Sequence, residues 1–282
     1  RLDRAAAAGA PPGAVALDRA RLDWIAGRRE DAFRAVRALL LRDSDDMPAW
    51  ALLAAFAAEA GDIGERDRAA ERLYAARAEL SPSLLLALAR IEIARGALPR
   101  AREALELARR AAPRDLALLD LLLRLDIAEA RRADALGRIR DLLAIAPEHS
   151  FANHVLGSIR LHEGNLVAAE SALRRSLETE RTAGALNDLA NVMIRRGRAE
   201  EAVALAREAI EMEPASASSW DSLAEALMAR QRFEEAEAAQ QRALLLAPHD
   251  PNYARRLETI REAIRRSAPG EAPAGDSRGD AD

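Results

Sequence analysis

Four histidines are the side chains in this sequence best suited to metal or acid–base chemistry: His149, His154, His162 and His249. His154 and His162 are eight residues apart, which on a helix is about two turns and roughly 12 Å along the axis. One metal ion cannot be bound directly by both side chains over that distance. We therefore interpret the histidines as surface or groove residues, and we predict no metal site and no cofactor.

Nucleophilic and phosphate chemistry have equally little support. The sequence has no cysteine, which removes disulfides, thiolate metal sites and cysteine nucleophiles together. No glycine-rich loop is followed by the lysine that a phosphate-binding loop needs. Acidic and basic side chains are spread along the whole chain, so such pairs indicate solvated helix faces and no particular site. We predict that the chain is not an enzyme.

The composition favours helices. Half of the 282 residues are hydrophobic but only 3% are aromatic, and the abundant Ala, Leu, Arg and Glu are good helix formers. The formal net charge of −4 argues against binding to nucleic acid, which normally requires a basic excess. No run of 18 uncharged apolar residues occurs, so we predict no transmembrane segment. Arg is used throughout and Lys never, which suggests GC-rich codons and a bacterial source.

A pattern of about 34 residues organises the chain. Leu followed by a small residue recurs at Leu53-Ala54, Leu88-Ala89, Leu156-Gly157, Leu189-Ala190 and Leu223-Ala224, with Leu122-Leu123 in the remaining place. A glycine follows at Gly61, Gly96, Gly164 and Gly197, with Gly27 upstream, Gln231 as a substitute, and Gly64 as an alternative to Gly61. Units close at Pro113, Pro147, Pro214 and Pro248. Small residues allow two helices to approach, glycine suits a left-handed helix end, and proline prevents continuation.

These units resemble the tetratricopeptide repeat (TPR). The unit Ala217–Asp250 carries Trp220, Leu223, Ala224, Ala236 and Pro248 at the family positions, and Ala183–Ser216 matches nearly as well. The resemblance implies an all-α fold, namely an α-α superhelix in which antiparallel helix pairs stack as a right-handed solenoid. It also implies a protein–protein interaction scaffold that holds a peptide or partner subunit in its concave groove.

Four segments are expected along the chain. Residues 1–12 read as a linker, 13–250 as seven repeats, 251–267 as a C-terminal capping helix, and 268–282 as a disordered tail. The unit Leu116–His149 is the most degenerate of the seven. A solenoid must cover the open core of its last repeat, and the charged helix after Asp250 suits that role.

The resemblance also implies which residues contact a partner, because exposed positions of each first helix line the groove in TPR proteins. Carried over to this sequence, the predicted contacts are Arg90, Arg124, His154, His162, Asn187, Asn191 and Arg195. An Asn amide can donate to a peptide carbonyl and accept from its N–H, and Arg195 can bind a carboxylate through two hydrogen bonds. Binding to chaperone C-terminal tails is disfavoured, since that clamp requires lysine.

The tryptophans have a structural interpretation as well. Trp50 and Trp220 occupy the bulky fourth position of their units, where we expect them to pack between the two helices. Trp24 falls at a groove position, so packing in the core and contact with a ligand both remain open for it.

Two other functions are compatible with the same sequence. In the first, the chain is the non-catalytic TPR region of a larger enzyme, associated with a glycosyltransferase or a redox protein. In the second, it is a protein that self-assembles end to end through its repeats. The start at Arg1 and the lack of cysteine lead us to expect an extracytoplasmic or membrane-anchored setting. The expected partner is a protein or peptide, and the chain is a subunit of a larger complex in one version of this hypothesis.

Overall fold

The computed structural model describes residues 11–267, and every regular element in that range is a helix. The predictions for residues 1–10 and 268–282 lie outside the described residues. Fifteen α-helices follow in chain order: α1 (Pro12–Ile25), α2 (Arg29–Arg42), α3 (Met47–Ala60), α4 (Ile63–Ala75), α5 (Pro82–Ala94), α6 (Leu98–Ala111), α7 (Leu116–Ala128), α8 (Arg132–Ile145), α9 (Ser150–His162), α10 (Leu166–Thr179), α11 (Ala183–Arg195), α12 (Ala199–Met212), α13 (Ala217–Ala229), α14 (Phe233–Leu246) and α15 (Pro251–Ser267). One short 3₁₀-helix, Arg77–Glu79, follows α4. The all-α prediction is confirmed.

The chain divides into two compact units, Arg1–Ile145 and Ala146–Asp282. Within each unit the odd-numbered helices from α1 to α13 are first helices, and each packs on the second helix that follows it. Second helices also pack on the next first helix, as α2 does on α3 and α10 on α11. Helix pairs stacked in this way bury apolar side chains within each unit, in two clusters in the first unit and one in the second.

Small residues set the distance between paired helices. A Cβ added at Gly157 of α9 would lie 2.5 Å from Leu173 Cγ and 3.3 Å from the Ala169 carbonyl oxygen, both in α10. Ala190 and Ala224, at the corresponding positions of α11 and α13, are fully buried. The predicted role of the small residue after Leu is therefore confirmed at these contacts.

The turn between the two helices of a repeat requires a left-handed residue. Gly27, Gly61, Gly96, Gly164 and Gly197 have φ between 73° and 80°, as the glycine spacing predicts. Gly61 is the helix end in its unit, and Gly64 lies inside α4. Ala130 (φ 54°) and Gln231 (φ 58°) adopt the same conformation without being glycine, which is unfavourable for a residue with a Cβ.

Polar residues at the ends of the linkers act as N-caps of the first helices that follow. The side chains of Asp46, Ser81, Asp115, His149, Thr182 and Ser216 each accept a hydrogen bond from a backbone N–H in the first turn of the helix that follows. Such N-caps are typically worth about 1 kcal/mol each. The four repeat-closing prolines lie between a second helix and the helix that follows it, where they prevent the second helix from continuing.

Trp50 and Trp220 anchor the linker before their helices. Trp50 Nε1 donates to the Ser44 carbonyl (2.9 Å) and Trp220 Nε1 to the Pro214 carbonyl (3.0 Å). Asn153, at the same repeat position, donates to the Pro147 carbonyl at 2.8 Å. Both indoles pack against a core cluster but are only partly buried. The expected packing role holds, and each indole N–H has a hydrogen-bond acceptor in the linker before its helix.

The last helix, α15, packs on α14 and buries Leu257 and Ile260. Its Arg255, Glu258 and Arg265 are exposed. These two faces support the proposal that α15 covers the apolar side of the preceding helix pair.

Glycine at either non-glycine turn should stabilise the protein. We expect Ala130→Gly and Gln231→Gly each to raise the free energy of unfolding by about 1 kcal/mol, because the left-handed strain of an L-residue is relieved. Urea midpoints and melting temperatures measure the change. Ala229→Gly, an exposed helical site two residues before Gln231, is the matched control and should destabilise. If it stabilises as much as Gln231→Gly, the strain argument is wrong.

Substitution of Gly157, at the close contact between α9 and α10, should destabilise the protein. We expect Gly157→Ala to lower the free energy of unfolding by about 1–3 kcal/mol, because the fully buried Leu173 must move. Gly137→Ala in α8 is the control, since an added Cβ there meets nothing within 4 Å, and it should be neutral or stabilising. Equal melting temperatures for the two variants would contradict the close approach of α9 and α10.

Candidate functional site

Five of the seven predicted contact residues lie together on two adjacent helices of the second unit. His154 and His162 belong to α9, while Asn187, Asn191 and Arg195 belong to α11, which packs beside α9. We call the following side chains the first-helix face: His154, Ser158, His162, Asn187, Asn191, Arg195, Asp221 and Glu225, from α9, α11 and α13. Arg90 and Arg124 lie in the first unit.

Arg90 and Arg124 differ in their surroundings. Arg90 is an exposed side chain of α5. Arg124 of α7 is also exposed, and its Nε donates to Asp120 Oδ2 at 2.7 Å, one turn earlier on the same helix. Arg124 therefore has to exchange an intrahelical ion pair for any partner it binds.

Asp188 is the central acceptor of the first-helix face, and sequence reasoning did not select it. Its Oδ2 accepts a hydrogen bond from Ser158 Oγ and lies 3.2 Å from His154 Nε2. The Asp188 and His154 side chains are each about a quarter exposed. This carboxylate connects α11 to α9 through Ser158 and through His154, which was expected to contact a ligand.

The same connection recurs at intervals of 34 residues, at Asp188, Ser222 and Arg256. Ser222 Oγ donates to Asn191 Oδ1 at 3.3 Å. Arg256 of α15 has its Nε 2.9 Å from Asp221 Oδ1, and it also pairs with Glu225. In α11, α13 and α15 the sixth residue of the helix thus binds polar side chains on the preceding first helix. The 34-residue spacing is a signal in the sequence that could have identified all three.

The side-chain amides of Asn187 and Asn191 differ in their hydrogen bonds. Asn191 uses both ends of its amide, since Nδ2 donates to the Asn187 backbone carbonyl at 3.1 Å and Oδ1 accepts from Ser222. Asn187 Oδ1 is buried and receives no hydrogen bond. A buried acceptor without a donor is unfavourable by about 1–3 kcal/mol, so Asn187 is the amide with hydrogen-bonding capacity left for a ligand.

Arg195 and His162 are exposed at the end of the face, and a backbone carbonyl orients each of them. Arg195 Nη1 donates to the Leu161 carbonyl at 2.7 Å, and His162 Nδ1 lies 2.8 Å from the Ser158 carbonyl. Because a carbonyl only accepts, Nδ1 of His162 carries the hydrogen and Nε2 is the acceptor in the neutral ring. Arg195 has five N–H donors, so one bond to Leu161 leaves others for a carboxylate.

The carboxyl group of Asp221 is the titrating group of this face with a shifted pKa. Burial raises the pKa of Asp221, and the nearby guanidinium of Arg256 offsets part of that effect. Arg256 pairs with both Asp221 and Glu225. Its positive charge offsets part of the negative charge of these two partly buried carboxylates on α13.

Trp24 is part of an aromatic cluster in the first unit. Its ring stacks on Phe56 with centroids 4.3 Å apart and meets Phe33 edge-on at 5.6 Å. Its Nε1 donates to Glu59 Oε2 at 2.6 Å. These contacts favour the packing interpretation of Trp24 over the ligand interpretation.

The described residues contain neither a membrane-spanning helix nor a cluster of metal ligands. Between residues 11 and 267 no helix combines the length and the apolar character needed to cross a bilayer. In the same range no group of three or more His, Asp or Glu side chains is arranged to hold a metal ion.

Comparison with known proteins matches residues 193–258 to the family model of the tetratricopeptide repeat. This segment runs from the end of α11 into α15. No curated protein sequence matches the chain. Solved structures do match it, and the similarity extends over most of its length.

Matching structures with TM-scores above 0.5 include the following three. The APC/C hetero-tetramer Cut9-Hcn1 has a TM-score of 0.56 at 16% identity, over 94% of this chain and 52% of that chain. PilW, a widely conserved type IV pilus biogenesis factor, has 0.56 at 15%, over 66% and 87%. YrrB, a TPR protein with an unusual peptide-binding site, has 0.51 at 15%, over 62% and 91%. The chain spans about half the length of the Cut9-Hcn1 chain. At these identities the similarity shows the fold alone.

The hydrogen bonds of the face predict a difference between its two asparagines. We expect Asn191→Ala and Asp188→Ala each to lower the free energy of unfolding by about 1–2 kcal/mol, because each leaves former partners unpaired. Asn187→Ala should leave it unchanged or slightly raised, since its oxygen has no donor to lose. Thermal and urea unfolding of the three variants measure this. A loss at Asn187 as large as that at Asn191 would contradict the assignment.

Proposed function

We propose, from the premise that the chain is a tetratricopeptide repeat protein, that it acts as a non-enzymatic scaffold which holds an extended segment of a partner protein. The binding surface is the first-helix face of α9, α11 and α13. The partner is a peptide segment or a subunit of a complex, and its backbone lies across Asn187.

The unpaired oxygen of Asn187 is the observation that carries this proposal. A peptide backbone offers an N–H donor and a C=O acceptor, and an Asn amide complements both. No hydrogen bond holds Asn187 Oδ1, so turning the amide toward a ligand does not break one there. A bound N–H would then satisfy an acceptor that is unsatisfied in the free protein, which favours the bound state.

The neighbours of Asn187 hold the surface in place before a ligand arrives. Asp188, Ser222 and Arg256 connect α11 to α9, α13 to α11 and α15 to α13. A surface that is already ordered loses less conformational entropy on binding. The same bonds mean that Asn191, His154 and Ser158 act mainly by positioning, whereas Asn187 contacts the ligand.

Arg195 supplies the charged contact in this proposal. Its guanidinium is fixed by the Leu161 carbonyl and retains N–H donors for a carboxylate of the partner. His162, exposed on the neighbouring helix, lies on the same side and accepts a hydrogen bond through Nε2. Arg90 and Arg124 remain predicted partner contacts on the first unit.

No observation on residues 11–267 favours the enzyme-associated or self-assembling alternatives over this scaffold. The extracytoplasmic setting and the bacterial source stay predictions.

A paired comparison tests the proposal. Affinity capture with the intact chain identifies a bound protein, and overlapping synthetic peptides of that protein locate the bound segment. We expect Asn187→Ala to weaken the peptide about 5- to 20-fold, as the loss of one or two hydrogen bonds predicts, and Asn187→Ala with Arg195→Ala to weaken it further. Isothermal titration calorimetry measures both.

Arg242→Ala is the matched control, because Arg242 is an exposed arginine on the second helix α14. It should leave the affinity within twofold. Unchanged affinity of the Asn187/Arg195 variant, at an unchanged melting temperature, would exclude the first-helix face as the binding surface.

A further inference from the structure

A second candidate surface lies in the first unit. A cavity of about 380 Å³ opens between α2, α3 and α4. Its lining is Arg37, Leu40 and Leu41 from α2, Trp50 and Leu53 from α3, and Glu65 and Arg68 from α4. We call this cavity the α2–α3 cleft. Its volume falls in the range of cavities that hold a small ligand or a side chain with its flanking backbone.

The second unit contains the same cleft in a smaller and more polar form. There the cavity is about 230 Å³ and is lined by Arg174, Leu177, Glu178, Arg181, Leu189 and Leu205. Counted from the left-handed residue of each unit, Leu40 corresponds to Leu177 and Leu41 to Glu178. Two changes that distinguish the rims are therefore Leu41 in place of Glu178 and, by the same counting, Arg68 in place of Ala204.

Leu41 is the most exposed large apolar side chain among the described residues, at 89%. The corresponding side chains in the later repeats are Ala75, Arg110, Ala144, Glu178, Glu211 and Leu245, all exposed. A lone exposed leucine needs no explanation. Leu41 is not alone, because it borders the α2–α3 cleft and also a cavity of about 520 Å³ along α2 that includes Phe33. A contiguous apolar patch beside a cavity indicates an interaction site.

The charges around the cleft indicate the chemistry of its occupant. Arg37 binds Glu65 through two hydrogen bonds, Nε to Oε1 at 2.9 Å and Nη2 to Oε2 at 2.6 Å, so these two charges neutralise each other. Arg68 is exposed and makes no ion pair or hydrogen bond with the described residues. The cleft therefore presents apolar walls with one uncompensated positive charge.

We propose that the α2–α3 cleft binds a segment of a partner protein in which a large apolar side chain lies next to a carboxylate. The apolar side chain packs between Leu41 and Trp50, over Leu40 and Leu53. The carboxylate pairs with Arg68, which complements its charge. This site is separate from the first-helix face and uses none of its residues.

Peptide selection on the intact chain tests this site whatever the identity of the partner. A phage-displayed library of 12-residue random peptides is selected on the wild-type chain and depleted on Leu41→Glu. Enriched sequences should pair Leu, Phe or Met with Asp or Glu within four residues. A fluorescein-labelled synthetic peptide of the enriched sequence should lose at least tenfold in affinity on Leu41→Glu and on Arg68→Glu, as measured by fluorescence polarisation.

Leu245→Glu is the matched control, because Leu245 is the exposed leucine at the same repeat position in α14. It should change the affinity less than twofold. Glutamate already occupies this exposed position at Glu178 and Glu211, so Leu41→Glu should fold normally, and an unchanged melting temperature checks this.

Several results would overturn the proposal. These are enriched sequences without acidic residues, equal losses on Leu41→Glu and Leu245→Glu, or a loss on the Asn187/Arg195 double-alanine variant, which would place the peptide on the first-helix face. A doubled mass in light scattering that Leu41→Glu abolishes would show that a second copy of the chain occupies the cleft.

Discussion

The left-handed residue after each first helix is the constraint on which the rest of the structure depends. It reverses the chain within about three residues, so the second helix returns along the first at close range. The conformation is kept even at Ala130 and Gln231, where it is strained. Without it the small residues, such as Gly157 against Leu173, would have no helix to meet. The turn also keeps the starts of successive first helices about 34 residues apart along the sequence, so that side chains at equivalent positions recur with the same spacing.

Because the first helices are equally spaced along the sequence, a polar side chain on one of them has two competing uses. A groove residue can contact a ligand, or it can bind the next helix at a fixed offset, as Ser158 binds Asp188 and Asn191 binds Ser222. Side chains used in the second way make the surface rigid and are less available for the first. Asn187 differs from Ser158 and Asn191 because its Oδ1 is buried and has no hydrogen-bond donor. A rigid frame around one unsatisfied amide is a physically reasonable way to recognise a peptide backbone.

The sequence predicts local features of this fold better than contacts between repeats. The glycine turns follow from spacing alone, since only the conformation of one residue is involved. The sequence could not choose between Gly61 and Gly64, because both fit the spacing and only the helix end distinguishes them. Asp188 was missed for a different reason: its importance depends on which side chains of α9 it meets, and register between helices is not a property of either helix alone. Leu41 was missed likewise, since a cleft requires walls from three helices.

Two carboxylates are buried in the first unit, and the pairing of one of them restricts the register between two helices. Glu92 and Asp126, 34 residues apart, are both fully buried, and each is paired with an arginine, Glu92 with Arg95 at 2.8 Å and Asp126 with Arg102 at 2.7 Å. Burial raises the pKa of both carboxyl groups, and the arginines offset part of the shift. The folded state therefore takes up their protons more readily than the unfolded state, so their contribution to stability is largest below the unfolded pKa and falls as pH rises through the folded one.

Such pairs add little to stability near neutral pH, yet breaking one would leave a buried charge without a partner. A one-residue slip between α6 and α7 would separate Arg102 from Asp126 and leave that buried carboxylate with Arg138 alone, whose Nε lies 3.6 Å from its Oδ2. The apolar core alone would tolerate the slip better, because Leu and Ala side chains are chemically alike at every step. The Asp126–Arg102 pair thus favours one register of α6 and α7, and the small residues and turns make that register compact.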